Sequence, residues 1–370
     1  MKQFYTYSFL ITTLLIFTGC APKYDTNFQN ISKANLKQSS WSDLKNFERD
    51  DLTLSLEVFK KACVGSKKYD TFKNACEKAV NTTDAKSFFK ENFTPFKLYD
   101  DDNSEQGLIT GYYEPLLNGS VIKTGKFQYP IYKVPNDLIT VDLSSVYPEL
   151  KKYRLRGQLK GNKLIPYSAR HEMKNRKNLE PICYVDNKVD LFFLQIQGSG
   201  KVRFQDGTII NVGYANQNGR TYNSIGKYMI KKGYITANQG SLQGIKKWFE
   251  QNPDKVDEVF NVNDSYIFFH ESQKSATGAL GVELVAKRNL AVDRAYIPLG
   301  MPVFIQTINP INKKEINQLM VAADVGGAIK GKIRADFFWG NSKEAEQTAG
   351  RMKEKGILYM LIPNQTQTMQ

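Results

Sequence analysis

Three aspartates towards the end of the chain, Asp293, Asp324 and Asp336, have neighbours that suit acid–base chemistry. Asp336 stands directly before Phe337, Phe338, Trp339 and Gly340. A carboxylate set against aromatic rings loses hydration, which raises its pKa and keeps it protonated near neutral pH. A carboxyl in that state can donate to an ether oxygen while a leaving group departs. Asp324 closes the apolar run Leu319–Ala323 and is followed by Gly326 and Gly327, where φ > 0 or a close backbone approach is expected. A further glycine, Gly331, precedes Lys332 and Arg334. Asp-Gly clusters also make ordinary turns, and an aspartate before an aromatic run also caps strands. The residue types alone therefore leave a catalytic and a structural reading open.

The elements that must position these residues are short. Leu319–Ala323 is brief enough to be one buried strand. Leu108–Pro115, LITGYYEP, is β-prone and stops at a proline, with Glu114 as a second candidate carboxylate that reads more readily as a solvated strand end. Leu191–Gln197, LFFLQIQ, is expected as a strand, so that Gln195, Gln197 and Ser199 share one face. Amides and a hydroxyl there suit either sugar hydroxyls or hydrogen bonds at a barrel rim. Between 116 and 264, short runs such as Tyr129–Val134, Tyr153–Leu159 and Lys163–Tyr167 alternate with turns, which suggests a small barrel. Asp206-Gly207 between two β-prone runs signals a hairpin. Helices are expected over Leu52–Cys63, Tyr69–Val80 and Thr83–Phe93, forming an N-terminal apron, with Thr83 or Asp84 as a cap. Ser241 should cap another helix, and Asn341–Glu344 should start one that runs to Lys355. Gly278–Val285 is expected as a strand.

The 370 residues are enough for about two domains. Hydrophobic content of 41% and charged content of 24% are ordinary for a globular chain. The formal charge of +14 invites a nucleic-acid reading. The lysines are scattered and no dense basic run occurs, and a generally basic surface would also suit an anionic wall polymer or anionic lipid, so charge alone does not choose between these. Residues 1–19 read as a secretory signal, with an apolar stretch too short to span a bilayer. Its end resembles a bacterial lipoprotein box with Cys20 lipidated, and residues 20–40 read as a flexible tether. Cys63 and Cys76 are expected to clip two helices together in an oxidising compartment, leaving Cys183 over. With only His171 and His270 available, no metal site is expected, and no cofactor is suggested.

Asp293 in AVDRAYIPLG, Asp324 in DVGGAIKG and Asp336 in RADFFWG together resemble the three-aspartate signature of the membrane-bound lytic murein transglycosylase A family. TGYY-x-P, Q-x-Q-G-S-G and YNSIGK occur in the matching order, and the resemblance runs from about Gly107 to Pro363. It implies a mainly β protein with an N-terminal helical segment. A double-psi β-barrel domain would take residues 41–115 plus 265–364, with a smaller β-barrel-like domain, 116–264, inserted in it. Peptidoglycan glycan would lie in the cleft between them. Asp336 would be the catalytic acid/base, with Asp324 supporting it near the −1 sugar and Asp293 in a structural role. Tyr112, Tyr113, Gln197 and Ser199 would be substrate contacts, and Lys330, between the glycines, reads either as a glycan contact or as a solvated loop lysine. The implied reaction cleaves the β-1,4 bond from N-acetylmuramic acid to N-acetylglucosamine and leaves a 1,6-anhydro end. Alternatives are a hydrolase that uses Asp336 with Asp324, and a non-catalytic wall-binding lipoprotein. The expected location is the periplasmic face of the outer membrane, with wall-synthesis or wall-hydrolysis proteins as candidate partners and no nucleic acid.

Overall fold

The computed structural model describes residues 34–66 and 70–364. The signal segment, Cys20 and the tether up to residue 33 lie outside the described residues. The first strands in chain order are β1 (Asn35–Gln38), β2 (Phe93–Tyr99), β3 (Gly107–Tyr112), β4 (Leu116–Ser120), β5 (Tyr129–Tyr132) and β6 (Ile139–Thr140). They are followed by β7 (Arg156–Lys160), β8 (Lys163–Pro166), β9 (Pro181–Val185), β10 (Ser199–Arg203), β11 (Ile209–Gln217) and β12 (Ile267–Ser272). The last are β13 (Asn289–Val292), β14 (Pro302–Ile308), β15 (Glu315–Asp324), β16 (Arg334–Phe338) and β17 (Lys353–Pro363). The helices are α1 (Leu52–Gly65), α2 (Lys73–Ala79), α3 (Ala85–Asn92), α4 (Lys188–Gln197), α5 (Ile225–Lys231), α6 (Leu242–Gln251), α7 (Val256–Phe260) and α8 (Lys343–Ala349). Among the described residues, no helix is long and apolar enough to cross a membrane.

The protein is mainly β. One sheet has the order β1-β2-β17-β14-β15-β13-β16-β3, and β17 pairs additionally with β3. A second has the order β12-β11-β10-β4-β9-β5, and a small third sheet is β6-β7-β8. β15 reads Leu319–Ala323 with every residue buried, as the unbroken apolar run predicts for a strand covered on both faces. β1 lies within the segment expected to be tether. It pairs antiparallel with β2, Leu36 opposite Leu98, so residues 35–38 of the expected tether belong to the sheet.

α1, α2 and α3 form the expected apron. Asp51 caps α1 at the Leu54 amide, and Asp84 caps α3 at the Ser87 amide. Phe59, Phe88, Phe89 and Phe93 pack together beneath them. Cys63 of α1 and Cys76 of α2 are disulfide-bonded across 13 residues. A loop of about that length confers roughly 3 kcal/mol by restricting the unfolded chain. Cys63→Ser should lower the unfolding free energy by about 2–3 kcal/mol, and reducing the wild type should match it in urea titrations.

α4 corrects the strand expected at LFFLQIQ. Asn187 caps it by accepting from the Val189 and Asp190 amides, and Gly198 ends it in the left-handed region at φ +83°. The run lacks helical periodicity because the helix is buried on two sides. Phe192 and Phe193 enter the main core, while Leu191 and Leu194 enter the core of the second sheet. Gln195 and Gln197 therefore do not share a strand face with Ser199, which opens β10. Two further elements differ. α8 stops at Ala349 rather than Lys355, because Lys353 onwards is drawn into β17 against β3. Gly278–Val285 is a loop with a single bridge, Thr277 to Glu283, that folds over the end of β15.

Candidate active site

Strand pairing brings two of the three aspartates together. β16 pairs parallel with β3 and antiparallel with β13, which sets Asp336 opposite Thr110 on one side and Ala291 on the other. β15 meets β13 from its other flank, and an irregularity in that ladder puts Asp324 against the same Ala291. The two aspartates thus flank one small residue at a separation of two strand spacings, roughly 10 Å between backbones.

Thr110 Oγ1 donates to Asp336 Oδ1 at 2.7 Å, and Arg334 Nη2 donates to Thr110 Oγ1 at 2.7 Å. A guanidinium has only donors, so the Thr110 hydroxyl must spend its proton on Asp336. That leaves Oδ2 as the oxygen to carry a transferable proton. Burial raises the pKa of Asp336, while the Arg334 charge and the Thr110 bond pull it the other way. Asp324 Oδ1 accepts from the Val325 amide at 2.8 Å and from the Ala279 amide at 3.0 Å. Burial nonetheless pushes Asp324 up to about 6, and the charge of Asp336 adds to the rise. Tyr112 lies two residues beyond Thr110 on the same face of β3. Its buried hydroxyl is close enough to Asp324 to oppose that rise, but has no protein partner at full hydrogen-bond geometry. Burial and the two carboxylates push its own pKa well up, so the phenol stays a donor.

The shift at Asp324 makes a signed prediction. In the folded protein its carboxyl holds a proton that the unfolded chain, with a pKa of 3.8, has already lost. Its contribution to stability is therefore full below 3.8 and is lost as pH rises through about 6. Asp324→Asn should remove that loss, so the variant gains on the wild type between about pH 4 and about pH 7 in urea midpoints.

The remaining expected residues are spread around this pair. Asp293 is buried and accepts from the Ala295 and Gly331 amides, each at 3.1 Å, tying the end of β13 to the loop before β16. Gly331 has φ +122° there and Gly340, after Trp339, has φ +96°, whereas Gly326 and Gly327 need no positive φ. A Cβ at Gly327 would meet nothing within 4 Å, so the chain beside Asp324 is open. Lys330 is exposed on that same loop. Gln197 Oε1 accepts from the Tyr113 amide at 3.0 Å, which fixes it beside the end of β3, and Ser199 follows two residues later. The Tyr113 side chain turns to the opposite face from Tyr112, where it is buried and its hydroxyl donates to Glu346 at 3.3 Å. Glu114 is not solvated. Its side chain is 1% exposed and lies near Lys201.

Sequence reading gives no role to Thr110, Arg334 or Ala279 and does not foresee the burial of Glu114. The alternation Thr110, Tyr112, Glu114 along LITGYYEP was the available signal. Gly111, between the first two, is glycine because a Cβ would come within 2.8 Å of Trp339 Nε1 and 2.9 Å of the Ala349 backbone. Among the described residues, no group of three or more His, Cys, Asp or Glu could hold a metal ion.

Residues 108–270 match the MltA specific insert domain, and residues 288–362 match the 3D domain. The chain thus carries the MltA specific insert domain followed by a 3D domain. Membrane-bound lytic murein transglycosylase A of Escherichia coli K12 is 32% identical over 268 residues, covering 70% of this chain and 67% of that protein. MltA from Neisseria gonorrhoeae superposes with a TM-score of 0.78 at 34% identity, covering 90% of this chain and 93% of that one. Escherichia coli MltA with bound chitohexaose superposes with a TM-score of 0.67 at 27% identity, covering 85% and 90%. The chain belongs to the membrane-bound lytic murein transglycosylase A family.

Proposed function

We propose that Asp336 is the single general acid/base of a lytic transglycosylase acting on peptidoglycan glycan strands. The reading rests on one observation above all. Asp336 is a partly buried carboxyl with a raised pKa, and the Thr110 hydroxyl occupies one oxygen and leaves the other for the substrate. Protonated, it donates to the glycosidic oxygen between N-acetylmuramic acid and N-acetylglucosamine. The carboxylate so formed then takes the proton of the muramic O6 hydroxyl as O6 attacks C1 and closes the 1,6-anhydro ring. One carboxylate suffices because the nucleophile belongs to the substrate. Well-oriented intramolecular attack reaches effective molarities of about 10⁵–10⁸ M, beyond the roughly 10²–10⁴-fold that one acid/base group supplies. Asp324 supports the −1 sugar region, and the buried Tyr112 hydroxyl lies within the electrostatic reach of both carboxylates. Gln197, Ser199 and Lys330 are glycan contacts. Tyr113 contributes through its backbone rather than its ring. Asp293 is structural.

Residues 41–115 plus 265–364 are read as a discontinuous double-psi β-barrel, since β17 pairs with both β14 and β3 and returns the sheet on itself. Residues 116–264 are read as the inserted domain, with α4–α7 packed on the barrel side. The chitohexaose held by the Escherichia coli relative supports glycan as the ligand of the cleft between them. Lipidation of Cys20, after removal of residues 1–19, tethers the body to the periplasmic face of the outer membrane. Wall-synthesis or wall-hydrolysis proteins are candidate partners there.

The test is mass spectrometry of muropeptides released from purified peptidoglycan by the soluble protein. Anhydro-ended products are expected. Reducing-ended products would replace the reading with hydrolysis through Asp336 and Asp324. Wall binding without release would replace it with a binding lipoprotein.

A further inference from the structure

Glu114 is a buried carboxylate that the reaction above does not use. It follows β3 on the face that carries Thr110 and Tyr112, and its amide extends the β3–β16 ladder by donating to Gly340 O at 2.8 Å. Three donors converge on its Oε2: Ser275 Oγ at 2.7 Å, Asn341 Nδ2 at 3.4 Å and Lys201 Nζ at 3.5 Å. Its Oε1 is buried with no partner. A buried charge that is unevenly satisfied is costly, so it is poor evidence of a group kept for stability.

The donors come from separate parts of the site. Asn341 follows the strand of Asp336. Ser275 lies four residues before Ala279, whose amide holds Asp324. Lys201 sits in β10 of the second sheet, two residues beyond Ser199, and its amide donates to Pro115 O at 2.8 Å. One carboxylate therefore joins the strand of the acid, the loop on the second aspartate and the sheet that begins at the proposed glycan contacts.

We propose that Glu114 is a positioning residue that holds the second sheet in register with Asp336, so that a glycan gripped near Gln197 and Ser199 presents its scissile oxygen to the acid. The inference rests on Asp336 being the acid/base. A displacement of about 1 Å between binding and reacting groups is enough to cost roughly 10²-fold in rate. Loss of the tie should therefore appear in kcat, while KM, set by the separate contacts, changes little.

The experiment measures kcat and KM for anhydro-product release from soluble glycan strands, with thermal unfolding followed in parallel. Glu114→Ala should lose about 10²-fold in kcat with KM within about threefold. Glu114→Gln, which keeps an acceptor for Ser275 and Asn341, should recover most of the loss. Ser275→Ala removes one bond and should lower kcat by roughly three- to tenfold, and it decides the matter if Glu114→Ala does not fold. Wild-type kcat in the folded Ala variants, or a fall in melting temperature without a fall in kcat, overturns the proposal. Asp336→Asn runs alongside. Wild-type turnover in that variant would overturn the acid/base reading and this inference with it, whereas loss there with wild-type kcat in the Glu114 and Ser275 variants would overturn this inference alone.

Discussion

Asp336→Asn is expected to lower the release of anhydro-ended muropeptides by about 10²–10⁴-fold, the usual worth of a positioned acid/base group. Asparagine keeps the size of the side chain and can still accept from Thr110 through its carbonyl, so the fold should survive. It cannot hand a proton to the departing oxygen. Asp324→Asn separates the two enzymatic readings. If one carboxylate serves both steps, Asp324→Asn should lose clearly less than Asp336→Asn, because its contribution is to the surroundings of the sugar. If water is the nucleophile and Asp324 its base, the two variants should fail to a similar degree. Initial rates by product chromatography, with circular dichroism to verify folding, decide between them. Activity should also fall as pH rises through the raised pKa of Asp336, since the acid must begin protonated.

Asp50→Ala should be the largest single loss of stability, about 3–5 kcal/mol. Asp50 joins the helical apron to the catalytic sheet. Its carboxylate accepts from Arg288 Nη1 at 2.8 Å and from the Leu319 amide at 2.7 Å. The same Arg288 nitrogen donates to Ser55 Oγ at 3.1 Å and to Leu319 O at 3.0 Å. Asp50 and Arg288 side chains are 4% and 9% exposed, so removal of the carboxylate strands a buried guanidinium next to β15. Asp50→Asn should cost less, because it still accepts from the Leu319 amide. Urea unfolding of the three proteins checks the order, and wild-type stability in Asp50→Ala would refute it.

Much of this organisation was legible in the residues. The apolar run before Asp324, the Asp84 and Ser241 caps and the Asp206-Gly207 hairpin all carry local signals, and each forms as expected. The errors share a cause. LFFLQIQ was misread because a helix buried on two sides loses its period, leaving β-propensity as the only cue. The helix after Ser342 was drawn too long because β17 competes for Lys353–Lys355, and that competition depends on a partner more than two hundred residues away. The site behaved similarly. The aromatic neighbours mark Asp336 only as a candidate, with the resemblance supplying its expected role, and Thr110 and Arg334 reach it through a strand pairing that no local pattern encodes. Glu114 looked solvated because Lys201 and Ser275 are distant in sequence.

The bond from Thr110 to Asp336 spans 226 residues. Parallel β3–β16 pairing at that separation has to meet the closure entropy of the intervening chain before the contact forms. Until β16 has been made and paired, Asp336 has neither its hydroxyl partner nor its flanking strands. The site is therefore complete only once nearly the whole chain is in place, so the chain topology couples assembly of the site to completion of the fold.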